Sequence, residues 1–386
     1  MSKNQRAIGS LMTMLKLLRG EAQIPAVWLT GALFLLFGGR WFAATADNAG
    51  LTLLLFAWLF AAILWGAFGV VRHAEHLAET LGEPYGTLIL TMSVTIIEVA
   101  FVVTAIAIST ESSPVARDAV FAVVMIMLNG TIGLCLLLGG LRHREQTYNL
   151  PGARAFLSVV IPLAAFALVL PNFTVVASGP ILSMPQAIAI AVLTLTLYGV
   201  FLAMQTVRHR SFFQDPIEAD SSALPEPPPE AAHAGAHPIA SHTVCLALTL
   251  LPAVYLTEEL GHIVEHAVKA AGAPQALVGV IVAVLVLAPE AMGALQAALS
   301  NRLQRAVNIA LGSVLATIGL TIPAVLILGV WKGMPTILGL DQEQTVLLAV
   351  TLVVSTLTFG GDRTNMLQGA VHLVMFLVFG LLVFHP

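Results

Sequence analysis

Apolar runs about 20 residues long, separated by short polar or glycine- and proline-bearing stretches, recur along the whole chain. A helix needs roughly 20 mostly apolar residues to cross a hydrocarbon core of ~30 Å. Eleven stretches read as spans: 24–43, 50–81, 84–110, 116–141, 152–170, 182–204, 242–271, 273–299, 304–330, 344–358 and 365–385. The second is long because its last third turns polar. Ahead of the first run stand Lys3, Arg6, Lys16 and Arg19, and no small-residue cleavage site follows them. The first helix is therefore expected to be retained rather than removed as a signal peptide.

Composition narrows the class. Of 386 residues, 58% are apolar and 10% charged, against about 25% charged in a soluble globular domain. Disorder needs the opposite balance. A net charge of -4 leaves no footprint for nucleic acid. Cys135 and Cys245 each sit inside an apolar run, with neither disulfide nor zinc-ligand spacing. The expected fold is an all-α polytopic membrane protein, with the lipid bilayer as its surroundings. Nothing in the sequence sets its oligomeric state.

Positive charge orients the spans. With the N-terminus in the cytoplasm, one side holds Lys3, Arg6, Lys16, Arg19, Arg72, Arg142, Arg144, Arg154, Arg208, Arg210, Arg302, Arg305 and Arg363. The other holds only Arg40, Arg117, Lys269 and Lys332, which completes the 17 basic residues. Such a bias predicts a multi-pass membrane protein with a cytoplasmic N-terminus. Residues 205–241 carry six prolines (Pro216, Pro225, Pro227, Pro228, Pro229 and Pro238) among scattered acids. They read as a mobile cytoplasmic tether.

The segments flanking that tether repeat each other. Glu75-His76, Gly82 and Pro84 recur as Glu265-His266, Gly272 and Pro274, at an offset of 190. Thr131-Ile132-Gly133-Leu134 recurs as Thr317-Ile318-Gly319-Leu320, at an offset of 186. One intramembrane acid lies between these anchors in each half, Glu98 and Glu290. The expected division is 1–49 (N-terminus and an extra helix), 50–204 (first repeat), 205–241 (loop) and 242–386 (second repeat). Five spans per repeat is an odd number, so the second copy enters with opposite polarity. Inverted repeats of this kind build secondary transporters, with the substrate site near the midplane.

An ionised residue at a helix centre costs about 2.5–3.5 kcal/mol on insertion scales, so it faces a cavity or a partner. No basic residue lies in the spans of Glu98 and Glu290. Two such carboxylates suit a hard cation such as Ca²⁺, or protons, but not both at once. That exclusivity is the core of an antiporter. Pro289 removes a helical hydrogen bond beside Glu290. Thr91, Ser93 and Thr95 offer oxygens before Glu98. Asn129 and Ser313, mid-span in the next helix of each half, are either further ligands or ordinary interhelical hydrogen bonds. A second set is Glu75, His76 and Glu79, with Glu258, Glu259, His262, Glu265 and His266. Glu75, His76, Glu265 and His266 read as gating or proton-relay groups, and the extra acids as water-exposed helix ends.

His262-Ile263-Val264-Glu265-His266 also fits H-x-x-E-H, an inverted zinc-protease signature. It supplies the alternative function, an intramembrane metalloprotease. The repeat places Arg72 where His262 would stand, and a cation there would repel a metal.

Ala74-Glu75-His76-Leu77-Ala78-Glu79-Thr80-Leu81-Gly82, followed by Thr95-Ile96-Ile97-Glu98-Val99, resembles the first alpha-repeat of the calcium/cation antiporter superfamily. Pro289-Glu290-Ala291 through Asn308-Ile309-Ala310-Leu311-Gly312-Ser313 resembles the second. Gly82-Glu83-Pro84-Tyr85-Gly86-Thr87-Leu88-Ile89-Leu90-Thr91 is similar to bacterial ChaA-type calcium/proton antiporters. The resemblance implies eleven helices in two inverted five-helix repeats, and proton-driven export of Ca²⁺, with Na⁺ or K⁺ as further substrates. It implies no cofactor, because Ca²⁺ and H⁺ are cargo. Glu98 and Glu290 match the family's cation-binding acids, and Glu75 and Glu265 those of its gating helices. The relatives' Gly-Asn pair before each acid is Val94-Thr95 and Val286-Leu287 here.

Overall fold

The computed structural model describes residues 21–45, 48–81, 85–108, 114–176, 179–215 and 236–385. For some positions within 75–110 and for 236–240 it describes the backbone alone, and the side chains of Glu75 and Glu79 fall in that group. Among the described residues eleven long helices follow one another: α1 (Gln23–Thr45), α2 (Ala49–Leu81), α3 (Tyr85–Ile108), α4 (Val115–His143), α5 (Leu150–Phe173), α6 (Met184–Arg208), α7 (Ala236–Ala270), α8 (Ala276–Leu299), α9 (Leu303–Lys332), α10 (Gln342–Thr358) and α11 (Met366–Phe384). Nine are long and apolar enough to cross a membrane. The other two are α10, at 17 residues, and α3, which carries the shorter apolar stretch Thr91–Ala100.

The helices start where sequence chemistry says they should. Ser183, Asp341 and Asn365 precede α6, α10 and α11, and each is followed three residues later by a glutamine. The glutamine side-chain oxygen accepts from the backbone N–H of the cap at 2.9, 3.2 and 3.0 Å respectively. This reciprocal capping satisfies donors that a helix start leaves unpaired. Large apolar side chains such as Leu35, Leu36 and Leu53 point outward, as helices immersed in hydrocarbon require.

We call the face where α1 begins proximal and the other distal. The set α2–α6 enters from the distal face and the set α7–α11 from the proximal one, helices alternating within each, so the two sets of five are inverted. The sets are tied at both faces. On the proximal side β1 (Glu145–Thr147) pairs antiparallel with β2 (Arg363–Asn365). On the distal side Ile181 bridges Ile337.

Two hydrophobic clusters organise the interior. One joins α1, α2 and α7 through Phe34, Leu59, Ile63, Leu256 and Leu260, with a flank of α8. The other runs through α3–α6 and α8–α11. At its centre stand α4 and α9, the most enclosed of the membrane-length helices. The crossing of α4 and α11 depends on glycine: a Cβ on Gly369 would lie 2.8 Å from the Gly133 carbonyl oxygen. Small residues let helix backbones approach closely in membranes.

Both central helices widen into a π-turn at mid-span, Ile126–Thr131 in α4 and Thr317–Thr321 in α9. Pro323, just beyond the second, has no N–H to donate to the preceding turn, which favours the wider winding there. Such bulges are frequent at functional sites.

The tether expected over 205–241 is shorter than that. Helix α6 runs on to Arg208, a short 3₁₀ turn spans Arg210–Phe213, and α7 already begins at Ala236. Phe213 is buried against Phe156 and Phe201. The aromatic pair Phe212-Phe213 anchors this stretch, a signal outweighed in the sequence by the prolines beyond it. Residues 216–235 lie outside the described residues.

Candidate cation site

Glu98 lies midway along α3 and Glu290 in the proximal half of α8, and both are buried, at 4% and 0% exposure. Their hydroxyl partners all come from α9. Thr317 Oγ1 donates to Glu98 Oε2 at 2.6 Å and Thr321 Oγ1 to Glu98 Oε1 at 3.1 Å. Ser313 Oγ donates to Glu290 Oε2 at 2.7 Å. Ser313 and Thr317 are four residues apart on one helix, an axial rise of about 6 Å. The two acids therefore address successive turns of α9, with Glu290 toward the proximal face. A cation lodged between them would meet carboxylate and hydroxyl oxygens only, the ligand set that hard ions take.

The remaining oxygen, Glu290 Oε1, has no hydrogen-bond partner among the described residues. A buried carboxylate oxygen without a donor is costly.

Of the expected ligands, Ser313 meets an acid directly. Thr95 is buried, 2% exposed, on α3, and Ser93 donates back to the Ile89 carbonyl at 2.7 Å. Asn129 turns away from both acids. Its Nδ2 donates to Thr351 Oγ1 at 2.9 Å, and its Oδ1 lies 3.0 Å from His372 Nδ1. His372 Nε2 in turn lies 3.0 Å from Thr358 Oγ1. Of its two readings, Asn129 takes the interhelical one, fastening the α4 bulge to α10 and α11.

Sequence reasoning missed Thr317 and Thr321 as partners of Glu98, although Thr317 was already a repeat anchor. Thr317 and Thr321 are four residues apart and so share one face of α9; what no sequence pattern showed is that this face meets Glu98 of α3. His372, fully buried on α11, was missed because its partners are neutral residues on distant helices.

The second acidic set divides. His76 is exposed, with its ring 4.7 Å from that of His242, and His73 Nδ1 lies 3.1 Å from His242 Nδ1. Glu21 Oε2 approaches His73 Nε2 at 3.1 Å. These groups join α2, α7 and the approach to α1 at the proximal face. At the distal end of α7, Glu265 Oε1 accepts from Lys269 Nζ at 2.6 Å, and His266 is exposed. The ring of His262 packs edge-on to Phe42, 6.1 Å between centroids. With Lys269 on Glu265, H-x-x-E-H does not present its glutamate as a free base, and the protease alternative finds no support.

An eleven-helix fold with inverted halves, and two buried carboxylates gathered on one central helix, defines a secondary transporter of the cation-exchanger class. The chain belongs to the sodium/calcium exchanger protein family, which it matches over residues 51–207 and 241–385; its members are transporters, not enzymes. It is 46% identical to the putative ionic transporter y4hA of Sinorhizobium fredii, over 83% of this chain and 86% of that protein. It is 38% identical to the sodium-potassium/proton antiporter ChaA of Escherichia coli, over 83% and 86%. Among solved structures, the Ca²⁺/H⁺ antiporter YfkE superposes with a TM-score of 0.70 at 20% identity, covering 95% of this chain and 100% of that one. That last likeness speaks for the fold.

Proposed function

We propose that the protein exchanges a cytoplasmic cation, Ca²⁺ or Na⁺ and K⁺, for protons, with Glu98 and Glu290 as the shared binding groups. The observation that carries this reading is the buried pair itself. Both acids hang from α9, no basic side chain bonds to either among the described residues, and Glu290 keeps one free oxygen. Among the described residues nine basic residues lie toward the proximal face and four toward the distal one, a bias that supports the proximal face as the cytoplasmic one, and we take the membrane to be the bacterial inner membrane. Residues 50–204 and 242–386 are then the two functional repeats, and Glu75 and Glu265 sit at opposite ends of their access routes.

Mechanistically, an outward-open site loses its cation and takes up protons, and the cytoplasm-facing site releases them to the next cation. Binding of one species excludes the other because both need the same oxygens. By linkage, each proton displaced makes the half-saturating cation concentration rise up to tenfold per pH unit of acidification. Helices α2 and α7 pack together with α1 in one cluster and touch the main core through Val71, Ala74 and Ala253, so a shift of this group against the core is the motion that would alternate access.

Everted membrane vesicles test this reading. With a respiration-generated pH gradient, adding Ca²⁺, Na⁺ or K⁺ should collapse it in vesicles carrying the protein and leave it standing in those without. Glu98→Gln and Glu290→Gln should each abolish the collapse while the protein still reaches the membrane. Near wild-type transport in either variant would show that the shared site is wrong.

A further inference from the structure

A small cavity of about 10 Å³ lies on the proximal side of the two acids, walled by Thr91, Phe156, Tyr198, Gln205, Asn308 and Gly312. That is room for about one water-sized particle. Thr91 is only 4% exposed, and its Oγ1 has no hydrogen-bond partner among the described residues. It precedes Glu98 by seven residues on α3, about 10 Å along the helix axis. Gly312 directly precedes Ser313, the residue that holds Glu290.

The polar atoms around this space are neutral. Asn308 Nδ2 donates to the Phe213 carbonyl at 2.7 Å, and its Oδ1 accepts from Gln304 Nε2 at 2.8 Å. An amide oxygen that accepts one bond keeps a second lone pair. Gln205, 4% exposed, closes the wall from the end of α6. Phe213, whose carbonyl Asn308 holds, packs against Phe156 of the wall.

Resting on the exchange reading, we propose that this cavity is an outer subsite where a monovalent alkali cation is held on its way to Glu290. Neutral hydroxyl and amide oxygens replace the water shell of a singly charged ion, as carbonyl rings do in potassium filters. A divalent ion gives up water less readily and looks for carboxylates. Phe156 and Tyr198 complete the wall with aromatic rings. Thr91 supplies a buried hydroxyl oxygen with no partner among the described residues. The pause there lets an alkali ion shed water before it meets the acids.

Gly312→Ala is the sharpest probe. Its methyl group would sit 3.7 Å from Thr91 Oγ1 and 3.8 Å from Phe156 Cε1, ordinary contact distances, so it narrows the cavity without a clash. Thr91→Val removes the hydroxyl at constant shape, and Thr91→Ser restores it. In proteoliposomes with an internal pH dye, both Gly312→Ala and Thr91→Val should raise the half-saturating K⁺ or Na⁺ about tenfold. Half-saturating Ca²⁺ should move at least threefold less, and Thr91→Ser should recover most of the loss. Equal shifts for K⁺ and Ca²⁺ would overturn the monovalent assignment, and no shift in either variant would overturn the subsite. Failure of the exchange reading looks different: the unsubstituted protein would then give no cation-dependent proton flux at all.

Discussion

Glu98 and Glu290 occupy matching places in the two repeats, yet their surroundings differ. Both oxygens of Glu98 accept hydroxyl bonds, and they come from the π-turn of α9, in the opposite repeat. Glu290 has one such bond, from Ser313 in its own repeat, and one oxygen with no partner among the described residues. The corresponding π-turn of α4 does not serve Glu290. Its Thr131 points to Met127 Sδ at 3.6 Å, and Asn129 bonds to Thr351 and His372. One central helix has become the ligand-bearing element and the other a fastening. Glu98 is a carboxylate held at both oxygens, and in the proposed exchange Glu290, held at one, is the acid that takes up the ion or proton.

The largest effect expected from this difference is loss of exchange in Glu98→Gln and Glu290→Gln, read in the vesicle assay. Next comes Thr317→Val, which removes a hydrogen bond to a charged acceptor, an interaction of about 1.5–3 kcal/mol. It should weaken cation binding, measured by calorimetry, by about tenfold or more. Its repeat counterpart Thr131→Val should change binding less than twofold. Equal losses in the two would restore the symmetry that the structure breaks.

Smaller and different in kind is the effect of His372→Leu. It leaves Asn129 Oδ1 and Thr358 Oγ1 without a partner inside the bundle, a cost of about 1–3 kcal/mol for each unsatisfied group. The purified protein should melt earlier, while its half-saturating cation concentration moves little. A binding defect without a melting defect would place α4 in the site after all. The smallest effect should come from deleting 216–235. Transport should persist, because shortening a flexible loop costs little, and an inserted but inactive deletion would give the loop a part in coupling.

Much of this architecture was legible in the sequence, because helices in hydrocarbon must satisfy their own backbone and show long apolar runs. The eleven stretches, the inverted halves, and Glu98 and Glu290 with Ser313 all follow from run length, parity and unpaired mid-span acids. The partners of Glu98 were not legible. Thr317 and Thr321 share a face of α9, but that this face packs on Glu98 joins residues 219 and 223 positions apart. Likewise Phe213 carries no sign in sequence that its carbonyl closes on Asn308, since that bond joins residues 95 positions apart. Local pattern reports what each helix is, and tertiary packing decides which oxygen meets which donor.

The central claim is that cation and protons compete for the same pair of carboxylates. Calorimetric titration of the purified protein with its transported cation, repeated in buffers of different ionisation enthalpy, counts the protons released per ion bound. The account predicts net proton release that grows as the pH is lowered through the titration of the pair, and that disappears together with cation binding in the Glu98→Gln, Glu290→Gln double variant. Cation binding with no proton release at any pH, or binding that survives in the double variant, would contradict it.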